Sequence, residues 1–153
     1  MTTPPRGFDD TEFANRCTHA QAAMERAEVG ALLLTSEAEI RYFTGFMTQF
    51  WQSPTRPWFV VIPSSGKPIA IIPSIGAPLM RQCYIENIVS WASPAAHDDG
   101  TTLVADVIRQ HVLKSGRLGM LMNRETAVRM PLADLFALQK ELREINLHDM
   151  TAD

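Results

Sequence analysis

The sequence predicts a three-layer α/β domain in which helices flank a mixed β-sheet. Two observations carry this prediction. Amphipathic helical segments alternate with short, nearly continuous apolar runs, as in sheets that are covered on both faces. Two of these runs, WFVVIP and PIAIIP, are joined by a short Ser-Gly turn, which indicates an antiparallel hairpin within the sheet. The sheet is therefore expected to combine parallel and antiparallel strands.

The chain has 153 residues, which is enough for one domain with a buried core. Hydrophobic residues make up 46% and charged residues 20%, as is usual for a globular domain. The polar, Pro-rich residues 1–8 are interpreted as a flexible lead-in. Residues 9–153 are interpreted as a single domain, because neither an internal repeat nor a second boundary interrupts the pattern.

The first half of the chain is predicted to begin with a helix capped by Asp9 or Asp10 and ending near Gly30. Its apolar stripe is Phe13, Cys17, Ala20 and Met24. The run ALLLT (31–35) predicts a buried strand. Ser36 and Glu39 have capping-box spacing, so a short helix begins there and stops at Gly45.

The hairpin strands are predicted at 58–63 and 68–73, followed by a helix capped by Ser74 and a strand within 85–93. Asp98 or Asp99 is expected to cap a helix that runs from about Thr101 to Ser115-Gly116. A strand at 117–123, a helix that opens with Pro131 and a last strand at 145–149 complete the sheet. The apolar stripe predicted for that last helix is Leu132, Leu135, Phe136 and Leu142.

Residue types and spacings argue against several functions. The net charge is −3 without a basic stripe, which argues against nucleic-acid binding. The apolar runs are too short to cross a membrane, so a cytoplasmic protein is expected. Cys17 and Cys83 are expected to be reduced thiols. The four histidines (His19, His97, His111 and His148) show no metal-ligand spacing, and no nucleophile motif is present, so no catalytic residue is assigned to this chain.

The most unusual stretch is GFMTQFWQSPTRPW, residues 45–58, which concentrates aromatic side chains between a short helix and a strand. Two interpretations stay open. In one, Trp51 and Arg56 face a substrate or partner, and Pro54 and Pro57 restrain the backbone of Arg56. In the other, Phe46, Phe50 and Trp58 pack against the sheet and Arg56 forms an internal ion pair. Tyr42 and Phe46 are expected in the core.

Three features in order resemble the amino-terminal domain of the creatinase, prolidase and aminopeptidase P family. One is a helix carrying Arg16 and Met24, followed by VGALLLTSEAEIRYFTGF. The others are the hairpin WFVVIPSSGKPIAIIP and the late strand–helix–strand from RLGMLMN to INLHD. The family's Tyr-x-x-Gly-Phe segment corresponds here to Tyr42, Gly45 and Phe46, preceded by Ser36 and Ile40.

The resemblance implies a ribonuclease H-like sheet and an N-terminal dimerisation and substrate-gating domain of a metal-dependent Xaa-Pro peptidase or creatinase-like C–N hydrolase. It implies no cofactor in this chain, and two divalent ions (manganese, cobalt or zinc) in a separate carboxy-terminal catalytic domain. The implied partners are a second copy of the chain, that catalytic domain, and a small peptide or amidine substrate. Neither nucleic acid nor a membrane is an expected partner.

The resemblance also implies which residues approach the substrate of a neighbouring subunit. By position these are Phe50, Trp51 and Arg56, with the arginine facing a carboxylate. The alternative is a non-catalytic protein- or small-molecule-binding module of the same fold, like a histone-chaperone subunit that has the same domain pair without its metals. A stand-alone small-molecule sensor is a third possibility.

Overall fold

The computed structural model describes residues 7–53, 56–112 and 116–152. In this part of the chain, six strands and five α-helices form three layers. The helices are α1 Asp10–Arg26, α2 Glu37–Thr44, α3 Ala77–Met80, α4 Thr101–Val112 and α5 Leu132–Glu141. The strands are β1 Ala31–Leu34, β2 Phe59–Pro63, β3 Ile69–Pro73, β4 Asn87–Trp91, β5 Arg117–Met120 and β6 Asn146–Asp149.

The sheet has the strand order β4-β3-β2-β1-β5-β6, so the central positions belong to β2 and β1. β2 runs antiparallel to both of its neighbours, β1 and β3, while the other pairs of adjacent strands are parallel. The predicted hairpin is confirmed, with Val61 opposite Ile69 and Phe59 opposite Ile71. The prediction of a mixed sheet within a three-layer α/β fold is therefore confirmed.

Alternate side chains of the central strands enter two separate cores, as the period of two along a strand requires. Leu32 and Leu34 of β1 pack on the face that α1, α2 and α3 cover. Ala31 and Leu33 of the same strand pack on the face that α4 and α5 cover. All four are buried, which explains why this strand is apolar throughout its length.

Three predicted helix starts are confirmed by their capping contacts. Asp9 accepts a hydrogen bond from the amide of Glu12 at 2.9 Å and begins α1. Ser36 and Glu39 form a reciprocal capping box at the start of α2, which Gly45 ends in the left-handed conformation. Asp98 accepts from the amide of Thr102 at 3.2 Å, in the first turn of α4.

Some local predictions were wrong. α1 ends at Arg26, before Gly30. Ser74 does not cap a helix; Pro73 precedes a short 3₁₀ turn at 74–76 and the single turn α3. In α5, Leu132 and Phe136 are 64% and 59% exposed, because the buried residues of this helix and its end are Leu138 and Leu142.

Other predicted boundaries fall partly outside the described residues. The lead-in at 1–8 is described only at Gly7 and Phe8, and the predicted end of α4 at Ser115 is not described. None of the helices in the described ranges has the length and apolarity needed to cross a bilayer.

Candidate functional site

The aromatic loop, residues 45–58, connects α2 to β2 and is described except at residues 54–55. Gly45 has φ of 74° and ends α2, a conformation that favours glycine. The amide of Phe46 then donates to Thr44 Oγ1 at 3.1 Å, which turns the chain towards the core. Thr48 Oγ1 accepts from the amide of Phe50 at 3.3 Å and begins a 3₁₀ turn at 49–52. Local hydrogen bonds therefore determine the backbone conformation from Gly45 to the 3₁₀ turn.

Three rings form the buried base of the loop. Phe46 and Trp58 are fully buried, and Trp51 is 8% exposed. The Phe46 ring centroid lies 5.4 Å from that of Trp58 and 6.2 Å from that of Trp51, and the two indoles are 6.0 Å apart. These spacings are within the range of favourable aromatic pairs. Trp58 also fills the space that a side chain at Gly76 would need, because a Cβ there would lie 2.2 Å from the indole.

Two side chains form the outer layer. Phe50 is 39% exposed, and its ring stacks on Trp58 with centroids 6.3 Å apart and an interplanar angle of 23°. Arg56 is half-buried, and its Cζ lies 5.5 Å from the Phe50 centroid, a cation–π distance. No carboxylate within the described ranges forms a salt bridge with Arg56. In the part of the chain that the structure describes, its guanidinium is thus packed on an aromatic face, without the internal ion pair that one interpretation required.

Arg129, in the connection between β5 and α5, binds the loop from the other side. Its Nη1 donates to the carbonyl of Arg56 at 2.6 Å, and its Nη2 donates to the carbonyls of Trp51, at 3.0 Å, and of Ser53. Its Cζ lies 5.1 Å from the Trp51 ring centroid. Desolvation by burial lowers the pKa of Arg129, a shift that the nearby carboxylate of Glu37 opposes.

A concave surface adjoins the start of the loop. Arg16 lies between the rings of Phe8 and Tyr42, with its Cζ 4.2 Å and 4.3 Å from their centroids, and its Nη1 donates to the carbonyl of Tyr42 at 2.8 Å. With Arg41 and Met47, these residues border a cavity of about 530 Å³. Tyr42 is 51% exposed, so the expectation that it lies in the core was wrong. Its ring covers the guanidinium of Arg16, which binds the carbonyl end of α2.

The structure distinguishes the three side chains for which the sequence predicted substrate contact. Phe50 and Arg56 lie together in the outer layer, while Trp51 belongs to the buried base with Phe46 and Trp58. Their contact with a substrate stays a prediction. Pro54, which the sequence argument used as a restraint on Arg56, is outside the described residues; the hydrogen bond from Arg129 restrains the same backbone.

Arg129 was missed in the sequence. It shares its connection with Arg124, and its partners are 73 to 78 positions earlier in the chain. They are carbonyl groups, which every residue carries. No local pattern marks such a residue, so only the tertiary structure reveals it.

Metal ligands do not converge in the described part of the chain. No group of three or more His, Cys, Asp or Glu side chains there could hold an ion. Cys17 and Cys83 do not form a disulfide, and burial raises the pKa of Cys17 to about 11. The groups that the aromatic loop presents are a guanidinium and aromatic faces.

A family profile described as the creatinase/prolidase N-terminal domain matches residues 16–153. The chain belongs to this family. The match spans most of the chain, including the aromatic loop and Arg129, and it confirms the resemblance drawn from the sequence. A search of curated proteins found no match to this creatinase/prolidase N-terminal domain.

Solved structures of similar fold agree with the assignment. A prolidase from Thermococcus sibiricus has a TM-score of 0.70 at 18% identity, covering 95% of this creatinase/prolidase N-terminal domain and 35% of the prolidase. Dipeptidase PepE from Mycobacterium ulcerans has a TM-score of 0.63 at 22% identity, with 92% and 35% covered. The chain thus spans about a third of the length of these two proteins.

A third structure is itself limited to one domain, the creatinase/prolidase N-terminal domain of an X-Pro dipeptidase from Streptococcus pyogenes. Its TM-score is 0.65 at 11% identity, and 90% of this chain and 94% of that one are covered. At these identities the likeness establishes the fold.

Proposed function

We propose that the chain is the N-terminal dimerisation and substrate-gating domain of a metal-dependent hydrolase acting on Xaa-Pro peptides or a related C–N bond. The observation that carries the proposal is the family match over residues 16–153. The prolidase and dipeptidase structures of similar fold are about three times as long as this chain. In this proposal a separate carboxy-terminal domain holds two divalent ions, manganese, cobalt or zinc, which would activate water for attack on the scissile bond.

The aromatic loop supplies the part of the proposal that concerns this chain's own residues. Arg56 offers a planar guanidinium without a carboxylate partner in the described ranges, and such a group binds a substrate carboxylate through two parallel hydrogen bonds. Phe50 offers an apolar face beside it, suited to a proline ring or an aliphatic side chain. Phe50 stacks on Trp58, against which Trp51 packs in the buried base. We propose that Phe50, Trp51 and Arg56 reach the active site of a neighbouring subunit.

Replacement of Arg56 tests the recognition role. In the full-length gene product, assayed on Xaa-Pro dipeptides and creatine-like amidines with added manganese, cobalt or zinc, Arg56→Ala should lower kcat/KM. Loss of hydrogen bonds between charged groups is worth about 1.5 to 3 kcal/mol, which corresponds to roughly a 10- to 150-fold decrease. Arg124→Ala is the matched control, because Arg124 is exposed in the connection that carries Arg129.

The possible outcomes separate the two parts of the proposal. If neither substrate class is hydrolysed by the parent protein with any of the three metals, the hydrolase assignment is wrong. If the parent is active and Arg56→Ala retains the parental kcat/KM, Arg56 does not bind the substrate carboxylate.

Dimerisation is supported by the apolar side chains exposed around the loop, Tyr42, Met47 and Phe50. We expect the full-length protein to sediment as an isologous dimer at micromolar concentration. A monomer under these conditions would contradict this part of the proposal. Replacement of the exposed Met47 by Glu should weaken the dimer if this surface is the interface.

The same exposed side chains support a second candidate, a non-catalytic module that binds a protein or a small molecule. The coding sequence beyond residue 153 decides between the two. Aspartate, glutamate and histidine residues in the order of the family's catalytic domain would favour the hydrolase. A following domain without them would favour the binding module.

A further inference from the structure

We propose that Arg129 is a positioning residue that fixes the shape of the aromatic loop and thereby the direction of Arg56. Its effect on substrate recognition rests on the function proposed above; its effect on the loop does not. The proposal is based on two sets of contacts. The main chain of Arg129 binds next to the sheet, and its side chain binds the aromatic loop.

The main chain of Arg129 is attached to the sheet independently of its side chain. Its amide donates to Thr35 Oγ1 at 3.2 Å, and Thr35 is buried at the end of β1. The same connection is held further upstream, where the amide of Asn123 donates to Thr151 Oγ1 at 3.2 Å. The connection therefore has its own anchors, and the donors of the Arg129 side chain are directed to a different part of the molecule.

All three loop contacts of the guanidinium are made to main-chain carbonyls, at Trp51, Ser53 and Arg56. These carbonyls flank the segment 54–55, so one planar group joins the 3₁₀ turn to the half-buried Arg56. The Arg56 carbonyl is one of the three, at 2.6 Å, and this bond orients the peptide group from which the Arg56 side chain departs. The guanidinium also faces the Trp51 ring, at 5.1 Å.

A guanidinium suits this arrangement better than any other side chain. It presents its N–H groups from separate nitrogens in a rigid plane, so it can bind divergent carbonyls at the same time. A lysine would donate its three hydrogens from a single nitrogen, so the carbonyls of Arg56 and Trp51 would have to converge on one point. No carboxylate in the described ranges forms a salt bridge with Arg129, so an ion pair does not explain its position.

Hydrogen–deuterium exchange of the 153-residue chain tests the effect on the loop without any substrate. Arg129→Met keeps the aliphatic length and removes every donor. Exchange of the amides at 49–53 should accelerate by about tenfold or more, since these amides open locally once the three carbonyls are released. Exchange in β2 should not change. Arg124→Met, on the same connection, should leave both segments as in the parent.

Arg129→Lys is the second variant, and it keeps the positive charge. We expect it to accelerate exchange of the amides at 49–53 as well. A positive charge without the separate donor nitrogens of a guanidinium should not hold the three carbonyls in place. If Arg129→Met fails to fold, the exchange of Arg129→Lys alone tests the positioning role. Parental exchange at 49–53 in the folded variant would overturn the proposal. So would acceleration of the same size in β2 and in the loop, which would indicate a general loss of stability.

Kinetics of the full-length protein then test the link to recognition. Arg129→Lys should raise KM for a carboxylate-bearing substrate and leave kcat within about twofold, because the chemical groups are untouched. Combined with Arg56→Ala it should add little to the effect of Arg56→Ala alone, as expected for two residues that act through one contact. Faster loop exchange with a parental KM would refute the link to recognition. Faster exchange in a protein that hydrolyses no substrate would refute the hydrolase assignment while supporting the positioning role.

Discussion

Replacement of Gly76 by alanine tests the packing of the buried aromatic base. Gly76 has φ of −88° and ψ of −12°, which any residue adopts, so the backbone itself permits alanine. The obstacle is Trp58, whose ring atoms would lie 2.2 Å and 2.8 Å from the new Cβ. Because Trp58 is fully buried against Phe46 and Phe50, it has little room to move.

Two opposing effects determine how much Gly76→Ala changes the free energy of unfolding. A glycine-to-alanine change at a compatible position stabilises by about 0.4 to 1 kcal/mol through the unfolded state. Overpacking one methyl group into a dense core costs about 1 to 3 kcal/mol. At 2.2 Å the steric effect should dominate, leaving a net destabilisation of about 1 to 2 kcal/mol. For a chain of this size that corresponds to a decrease in Tm of roughly 2 to 8 °C.

The assay is thermal unfolding followed by circular dichroism, with Ser74→Ala as the matched control. Ser74 is exposed in the same 3₁₀ turn and caps no helix, so its replacement should leave Tm unchanged. Repeating Gly76→Ala in a Trp58→Phe background should reduce its cost, because the clashing ring atoms are then absent. A Tm for Gly76→Ala at or above that of the parent would refute the reasoning. An equal cost in both backgrounds would show that Trp58 is not the cause.

Three further outcomes are expected. Ser36→Ala, which removes one half of the capping box, should destabilise the chain by about 1 kcal/mol in urea unfolding, and an unchanged midpoint would contradict the role of the cap. Partial burial raises the pKa of Asp98, but hydrogen bonds from Thr102 and neighbouring amides outweigh it and lower the pKa overall. The stabilisation by Asp98 should therefore be complete above the pKa of an unfolded aspartate, near 4, and be lost as the pH falls through the lower folded value. Asp98→Ala should accordingly lower Tm at pH 7 and progressively less in acid, whereas a pH-independent difference would refute this. Burial raises the pKa of Cys17 to about 11, so a thiol reagent at pH 8 should modify the half-buried Cys83 first, and equal rates would contradict the burial of Cys17.

Most of the fold could be predicted because its signals are local. The capping box depends on residues three positions apart, and the hairpin depends on a turn between two apolar runs. The structure contains both the capping box and the hairpin, with nearly the predicted bounds. The continuous apolar run of β1 correctly indicated a strand with helices on both sides.

The misses arise where tertiary contacts determine which side of an element is covered. Leu132 and Phe136 have helical spacing, but only the second half of α5 reaches the core, so periodicity alone misplaced the buried face. Tyr42 lies outside the core because it covers Arg16. In the aromatic loop, the sequence correctly placed Phe46 in the core and left the burial of Trp58 open, and it could not distinguish the buried Trp51 from the exposed Phe50 one position earlier.

The contacts of Arg129 have a consequence for how the loop acquires its order. Its carbonyl partners are 73, 76 and 78 positions away, whereas the capping contacts of α2 span three. Contacts of such separation carry a larger loop-closure entropy than the local capping contacts, and they cannot form until the chain through residue 129 is present. A fragment that ends before residue 129 would contain the whole aromatic loop and the β2–β3 hairpin, yet it would lack the donors that hold the loop carbonyls. The shortest piece that shows the native loop should therefore extend at least through residue 129, although the loop itself is complete by residue 58.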